Sequence, residues 1–162
     1  MGNFDPARRS FFRGHKRVKI GMFPPWASND FADLCNRCGD CLTACEEQIL
    51  KVGDGGYPEV DFALGECSFC KRCTEICKQG AFSPLQEKPW ALKARIKPEC
   101  LPLSGTVCRS CADICEVSAI RFTLSACPPP RIDDALCTGC GACYATCPVQ
   151  AIEITQPQEI AA

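Results

Sequence analysis

Apolar residues fall in short bursts along this chain. Adjacent pairs recur as Ile49-Leu50, Ala81-Phe82, Ala119-Ile120 and Ala151-Ile152, and further apolar segments stand at Val60–Leu64, Ile96 and Ile132. Bursts this short predict small strands that pair around loops. Gly53, Gly55 and Gly56 ahead of Tyr57-Pro58 supply one turn, and Pro128-Pro129-Pro130 a stiffer one. Ser28-Asn29-Asp30 offers capping side chains ahead of Phe31-Ala32-Asp33-Leu34. The class predicted is α+β, and no apolar run is long enough to span a bilayer.

A chain of 162 residues has room for one or two small domains, and these bursts give each of them little core. The composition shows what takes its place. There are 17 cysteines, just over a tenth of the residues, more than ordinary packing uses. Sixteen of them fall into four runs. Cys35, Cys38, Cys41 and Cys45 follow the C-x2-C-x2-C-x3-C spacing, as do Cys67, Cys70, Cys73 and Cys77, and Cys137, Cys140, Cys143 and Cys147. Cys100, Cys108, Cys111 and Cys115 keep the last two intervals and stretch the first gap to Leu101–Val107. This spacing lets soft thiolates reach neighbouring corners of one small iron–sulfur polyhedron from a tight loop. A helical turn is predicted between the third and fourth cysteine of each run, with an apolar pair following. Zinc is the weaker reading, because zinc sites usually separate two C-x2-C pairs by a dozen or more residues. A disulfide framework needs an export signal and gives no reason for the intervals to recur.

The intervals repeat at a larger scale too. Cys38, Cys41 and Cys45 return thirty-two residues later as Cys70, Cys73 and Cys77, and Cys108, Cys111 and Cys115 return likewise as Cys140, Cys143 and Cys147. Two duplicated units are expected. The domain plan is a tail at 1–30, a first module at 31–85, a linker at 86–95, a second module at 96–156 and a short end at 157–162.

Charge separates the tail from the body. Residues 1–20 carry Arg8, Arg9, Arg13, Lys16, Arg17 and Lys19 against Asp5 alone, leaving twelve basic and eighteen acidic side chains elsewhere. Each oxidised four-thiolate cluster adds about two more negative charges. A basic tail on an acidic body fits a solvated terminus, a membrane surface or an acidic partner. Nucleic acid is excluded as a partner, since no aromatic residues interleave with the basic ones in a known binding fold. Arg8-Arg9-Ser10-Phe11-Phe12-Arg13-Gly14 is similar to a twin-arginine export box. His15-Lys16-Arg17-Val18-Lys19-Ile20 stands where an apolar stretch should follow, and Pro24-Pro25 breaks any helix, so a cytoplasmic, unexported chain is expected.

Residues near the runs carry further expectations. Arg37, Lys71, Arg72 and Arg109 lie in the loops, as tuning charges or as a solvated face. Gly39, Gly139 and Gly141 let the backbone come close enough to aim amides at sulfides. Phe69 and Tyr144 shield a cluster, and Trp26 packs the tail onto the first module. Cys127 stands outside the runs, as a structural thiol or a substitute for Cys100, and His15 is surface. No acid–base pair with a nucleophile, phosphate loop or spare histidine points to catalysis, so no catalytic residue and no enzyme is expected.

The runs at residues 31–85 and 95–155 resemble the bacterial two-cluster ferredoxins. In that family the first three cysteines of a run bind one cluster while the fourth ligates the other. The resemblance implies a cluster on Cys35, Cys38, Cys41 and Cys77, and a second on Cys67, Cys70, Cys73 and Cys45. A third would lie on Cys137, Cys140, Cys143 and Cys115, and a fourth on Cys100, Cys108, Cys111 and Cys147. The family favours proline after the fourth cysteine. Only Cys147-Pro148 follows it, and Glu46, Lys78 and Glu116 at the other positions predict less standard turns.

Arg8-Arg9-Ser10, Pro24-Pro25-Trp26, Ala44-Cys45-Glu46 and Gly55-Gly56-Tyr57-Pro58-Glu59-Val60-Asp61-Phe62 through Gly65-Glu66-Cys67 resemble a narrower family. It is the NapF family, ferredoxin-type accessory proteins of periplasmic nitrate reductase. This resemblance implies a cytoplasmic protein that binds the reductase's catalytic subunit before export and assists its 4Fe-4S maturation. The alternative is a polyferredoxin electron carrier or relay subunit. With roughly three to four 4Fe-4S clusters per chain, the Cys100 site is open between a full 4Fe-4S cluster, a 3Fe-4S cluster and none.

Overall fold

The computed structural model describes residues 22–124 and 127–156. The export-like box, the tail cations and His15 lie outside the described residues, as does the short end at 157–162.

Among the described residues six short strands form three antiparallel pairs. Strand β1 (Leu50–Val52) pairs with β2 (Pro58–Val60), β3 (Lys93–Ile96) with β6 (Ile152–Thr155), and β4 (Ile120–Phe122) with β5 (Pro130–Ile132). Both hairpins open their second strand on proline, Pro58 opposite Val52 and Pro130 opposite Phe122, where no ladder donor is lost. Gly55 and Gly56 carry φ of 66° and 81° in the first hairpin's loop, and the Gly53 amide closes it onto the Tyr57 carbonyl at 2.7 Å. No named strand pair joins residues 22–83 to residues 93–155, so pairing defines a first and a second lobe. Strand β3 takes up Lys93–Arg95 from the stretch the sequence marks as linker.

The apolar pairs explain why the strands form where they do. Ile49, Ala81, Ala119 and Ala151 are at most 1% exposed, and the next residue of each pair opens a strand or a bridge. In the second lobe the outer pair holds register over four residues, from Lys93 opposite Thr155 to Ile96 opposite Ile152. In the first lobe the same place is a single bridge, Ala27 opposite Phe82, held by the Ser28 amide on the Ala81 carbonyl and the Ser83 amide on the Trp26 carbonyl. Aromatic packing replaces the missing ladder. Phe31 lies 4.7 Å from Phe23 and 5.2 Å from Phe82, centroid to centroid, and the buried Trp26 meets Phe69 edge-on.

Among the described residues there are also five α-helices of about one turn: α1 (Phe31–Leu34), α2 (Asp40–Ala44), α3 (Arg72–Glu75), α4 (Ser110–Asp113) and α5 (Ala142–Ala145). Helices α2 to α5 each contain the third cysteine of a run and end just before the fourth, as the spacing predicts. Asp61 and Asp133 play one part in the two lobes. Each carboxylate accepts the amide two residues on, from Ala63 and Ala135, turning the chain toward Cys67 and Cys137.

Candidate metal centres

Each regular run turns on two residues in the left-handed region. In the first gap these are Arg37 (φ 62°), Phe69 (φ 55°) and Gly139 (φ 74°); in the second they are Gly39 (φ 83°), Lys71 (φ 64°) and Gly141 (φ 90°). Left-handed residues among right-handed ones gather successive N–H groups into a concavity that attracts anions, a recurrent device at iron–sulfur sites. The third run differs. Arg109, at the position of Gly39, has φ −136°, and the long gap folds instead as a 3-10 turn at Leu101–Ser104 that ends on Gly105 at φ 81°.

A second regularity covers all four runs. Three residues after the last cysteine stand Gln48, Gly80, Ser118 and Gln150, all with φ between 50° and 65°. The amides of Gln48, Ser118 and Gln150 return to the carbonyls of Cys45, Cys115 and Cys147. Pro148 does not set its turn apart, since Cys45, Cys77, Cys115 and Cys147 are half-buried alike. The backbone makes this turn whether or not proline follows the cysteine.

These loops bring the thiols together across the runs. One cavity, of about 240 Å³, is lined by Cys35, Cys38, Cys41 and Cys77. A second is lined by Cys45, Cys67, Cys70 and Cys73, a third by Cys115, Cys137, Cys140 and Cys143, and a fourth by Cys100, Cys108, Cys111 and Cys147. In each, three cysteines of one run meet the last cysteine of another. Cys100 stands with the others despite its long gap. Cys127 does not join them; its thiol faces the Pro102 carbonyl at 3.8 Å.

Crowding and burial shape the thiols' acidity. Burial, reinforced by neighbouring thiols, pushes Cys67, Cys73 and Cys143 up to about 12, and Cys41 and Cys111 up to about 11. Cys100 and Cys140 are raised for the same leading reason. A bound cation would offset this aversion to bare thiolate. All 17 cysteines are unbridged, and among the described residues no three His, Cys, Asp or Glu side chains are grouped to hold one metal ion. Four thiols around a shared cavity match a polyhedral cluster, whose metals sit at its corners, better than a single zinc. Trp26 lines the second cavity, and its buried indole N–H finds no acceptor among the described residues. A donor left over beside four thiols fits a cofactor sulfur. In the second lobe the Ala119 amide donates to Cys115 Sγ at 3.3 Å and the Ala151 amide to Cys147 Sγ at 3.1 Å.

The loop cations are engaged within the chain. Arg37 stacks on Tyr57 and donates to its hydroxyl at 2.7 Å, and Lys71 lies over Trp26. Arg72 pairs with Glu46 at 2.9 Å, and Arg109 covers Phe122. Tyr144 is partly buried against the core. Among the described residues no helix is long and apolar enough to cross a membrane.

Comparison with known proteins agrees with this chemistry. Residues 34–81 match the 4Fe-4S dicluster domain and residues 130–153 the 4Fe-4S binding domain. The third run lies outside both matched stretches. The chain is 43% identical over 153 residues to the ferredoxin-type protein NapF of Escherichia coli (strain K12), covering 91% of this chain and 93% of that protein. It is 43% identical over 160 residues to the ferredoxin-type protein NapF of Haemophilus influenzae, covering 90% and 91%. The methylamine utilization ferredoxin-type protein MauM of Methylophilus methylotrophus is more distant, at 28% identity over 81% of this chain and 68% of that protein. With thiol-lined cavities in both lobes and similarity running nearly from end to end, the chain belongs to the NapF family of ferredoxin-type 4Fe-4S proteins.

Proposed function

We propose that this chain is a cytoplasmic iron–sulfur accessory protein that binds the catalytic subunit of periplasmic nitrate reductase before export and assists maturation of its 4Fe-4S cluster. The observation that carries this reading is similarity to NapF proteins over nine-tenths of the chain, well beyond its cysteine runs. The two lobes act as tandem two-cluster modules with four 4Fe-4S clusters in all. Cys35, Cys38, Cys41 and Cys77 would hold one, and Cys67, Cys70, Cys73 and Cys45 another. Cys137, Cys140, Cys143 and Cys115 would hold the third, and Cys100, Cys108, Cys111 and Cys147 the fourth. When bound, each cluster supplies one-electron transfer. The chain's own part is to hold the thiolates, aim loop amides at them and cover them with apolar side chains. With Arg37, Lys71, Arg72 and Arg109 occupied within the fold, the basic tail is the surface that meets the acidic partner.

The test is capture from cytoplasm under anaerobic conditions. The full chain retains the unexported catalytic subunit, and a chain lacking residues 1–20 loses it. Normal nitrate reductase activity in a strain lacking this protein, with a different dehydrogenase losing its electron acceptor, would overturn the accessory role in favour of a free carrier.

A further inference from the structure

The lobes share no strand pair, yet their cysteine loops meet. The Cys67 amide, in the second run, donates to the Cys140 carbonyl, in the fourth, at 2.8 Å. These residues line the second and third cavities, so one peptide hydrogen bond links two thiol quartets in different lobes. Trp90 clasps the same place. Its ring meets Phe62 at 5.9 Å and Phe69 at 5.6 Å, both near edge-on, while its indole N–H donates to the Thr138 carbonyl at 2.9 Å. Phe69 belongs to the second run's loop and Thr138 to the fourth's, so Trp90 touches both sides. Lys93 Nζ donates to the Cys137 carbonyl.

The fit at this face is close. A Cβ on Gly139 would run into the Leu92 carbonyl, and one on Gly141 into the Phe62 ring, and both glycines have φ that side chains rarely adopt. Within each lobe the quartets also adjoin. Helix α2, which carries Cys41, packs against α3, which carries Cys73, and α4 with Cys111 packs against α5 with Cys143. The quartets therefore stand in the order Cys35/38/41/77, Cys45/67/70/73, Cys115/137/140/143 and Cys100/108/111/147.

We infer that the two lobes form one electron conductor, in which the Cys67–Cys140 peptide contact is the crossing between lobes and Trp90 is the residue that positions it. Tunnelling weakens exponentially with distance and is favoured by bonded and hydrogen-bonded paths over gaps through space. The junction supplies two covalent thiol-to-backbone links joined by one hydrogen bond, beside the rings of Phe62, Phe69 and Trp90. Each crossing oxidises the donor site in one lobe and reduces the acceptor site in the other by one electron. The inference rests on the cluster reading above; iron and sulfide analysis of the same samples tells failure of that reading from failure of this one.

The test uses the full chain, loaded and anaerobic. A flavin photoreductant with a sacrificial amine delivers less than one electron per chain in a flash, and freeze-quenched paramagnetic resonance follows its redistribution among the sites. The native chain should reach its final spectrum at a rate independent of protein concentration. Trp90→Ala, at unchanged iron and sulfide content, should slow the last phase at least tenfold. Trp90→Phe, which keeps a ring against Phe62 and Phe69 but loses the bond to Thr138, should fall between. A native last phase that scales with protein concentration would mean that lobes exchange electrons only by collision, and the inference fails. A native rate in Trp90→Ala overturns it equally. If Trp90→Ala loses iron, the native concentration series and Trp90→Phe decide between the same outcomes.

Discussion

The two lobes repeat one plan and close it by different means. The second lobe zips a four-residue strand pair between Lys93–Ile96 and Ile152–Thr155, with Ala94, Ile152 and Ile154 facing inward. The first reduces that pair to a bridge at Ala27 and Phe82 and fills the space with Phe23, Trp26, Phe31 and Phe82. What the lobes share is the inner hairpin, the Asp61 and Asp133 turns, the buried apolar pairs, and the thiol loops with the turns after them. The cluster loops thus hold the architecture constant, while the outer layer can be built from backbone hydrogen bonds or from aromatic rings. Such freedom is expected where ligation supplies much of the folding free energy and the apolar core has less to decide.

The sharpest way to break this comparison is to remove what the lobes share. Chelating iron, or oxidising the clusters, should unfold both lobes and abolish the far-UV circular dichroism transition seen with clusters in place. If the second lobe's strand amides stayed protected from hydrogen exchange while the first lobe's did not, its ladder would be self-sufficient and the shared dependence wrong. A smaller lesion separates the sites within a lobe. Cys45→Ala should damage the site built from Cys67, Cys70 and Cys73, leaving Cys35, Cys38 and Cys41 loaded, and Cys115→Ala should act likewise on Cys137, Cys140 and Cys143. Loss of the paramagnetic signal confined to the variant's own run would reject the exchange of fourth ligands. The least disruptive change tests the aromatic closure. Phe31→Ala removes a ring that is 1% exposed and should destabilise the first lobe by about 3–5 kcal/mol. Hydrogen exchange at the Ala94 and Ile154 amides of the second lobe should barely change, and an equal loss there would show that the lobes unfold as one.

Much of this was legible in the residues. Cysteine spacing located helices α2 to α5, and the apolar pairs located the starts of β1, β4 and β6 together with the bridge at Phe82. Trp26 is buried, as expected of a residue that packs onto the first module. The left-handed turns after the fourth cysteines were not legible, because only Gly80 advertises one and Gln48, Ser118 and Gln150 adopt the same φ with ordinary side chains. Tertiary closure of the loop overrides local preference there. Nor could spacing show that Arg37, Lys71, Arg72 and Arg109 each have a partner, since Tyr57, Trp26, Glu46 and Phe122 come from other segments. The meeting of Cys67 with Cys140 was likewise invisible, because a backbone hydrogen bond between distant loops leaves no mark on side-chain pattern.

Thiol exposure gives the chain a weak flank. Cys38 and Cys70 are exposed, whereas every cysteine of the second lobe's runs is buried or half-buried. Dioxygen, peroxide and competing metals therefore meet the first lobe before the second, and decay in air starts from that end. A sample that has lost part of its iron is then not a random mixture but one enriched in chains with a bleached first lobe and an intact second.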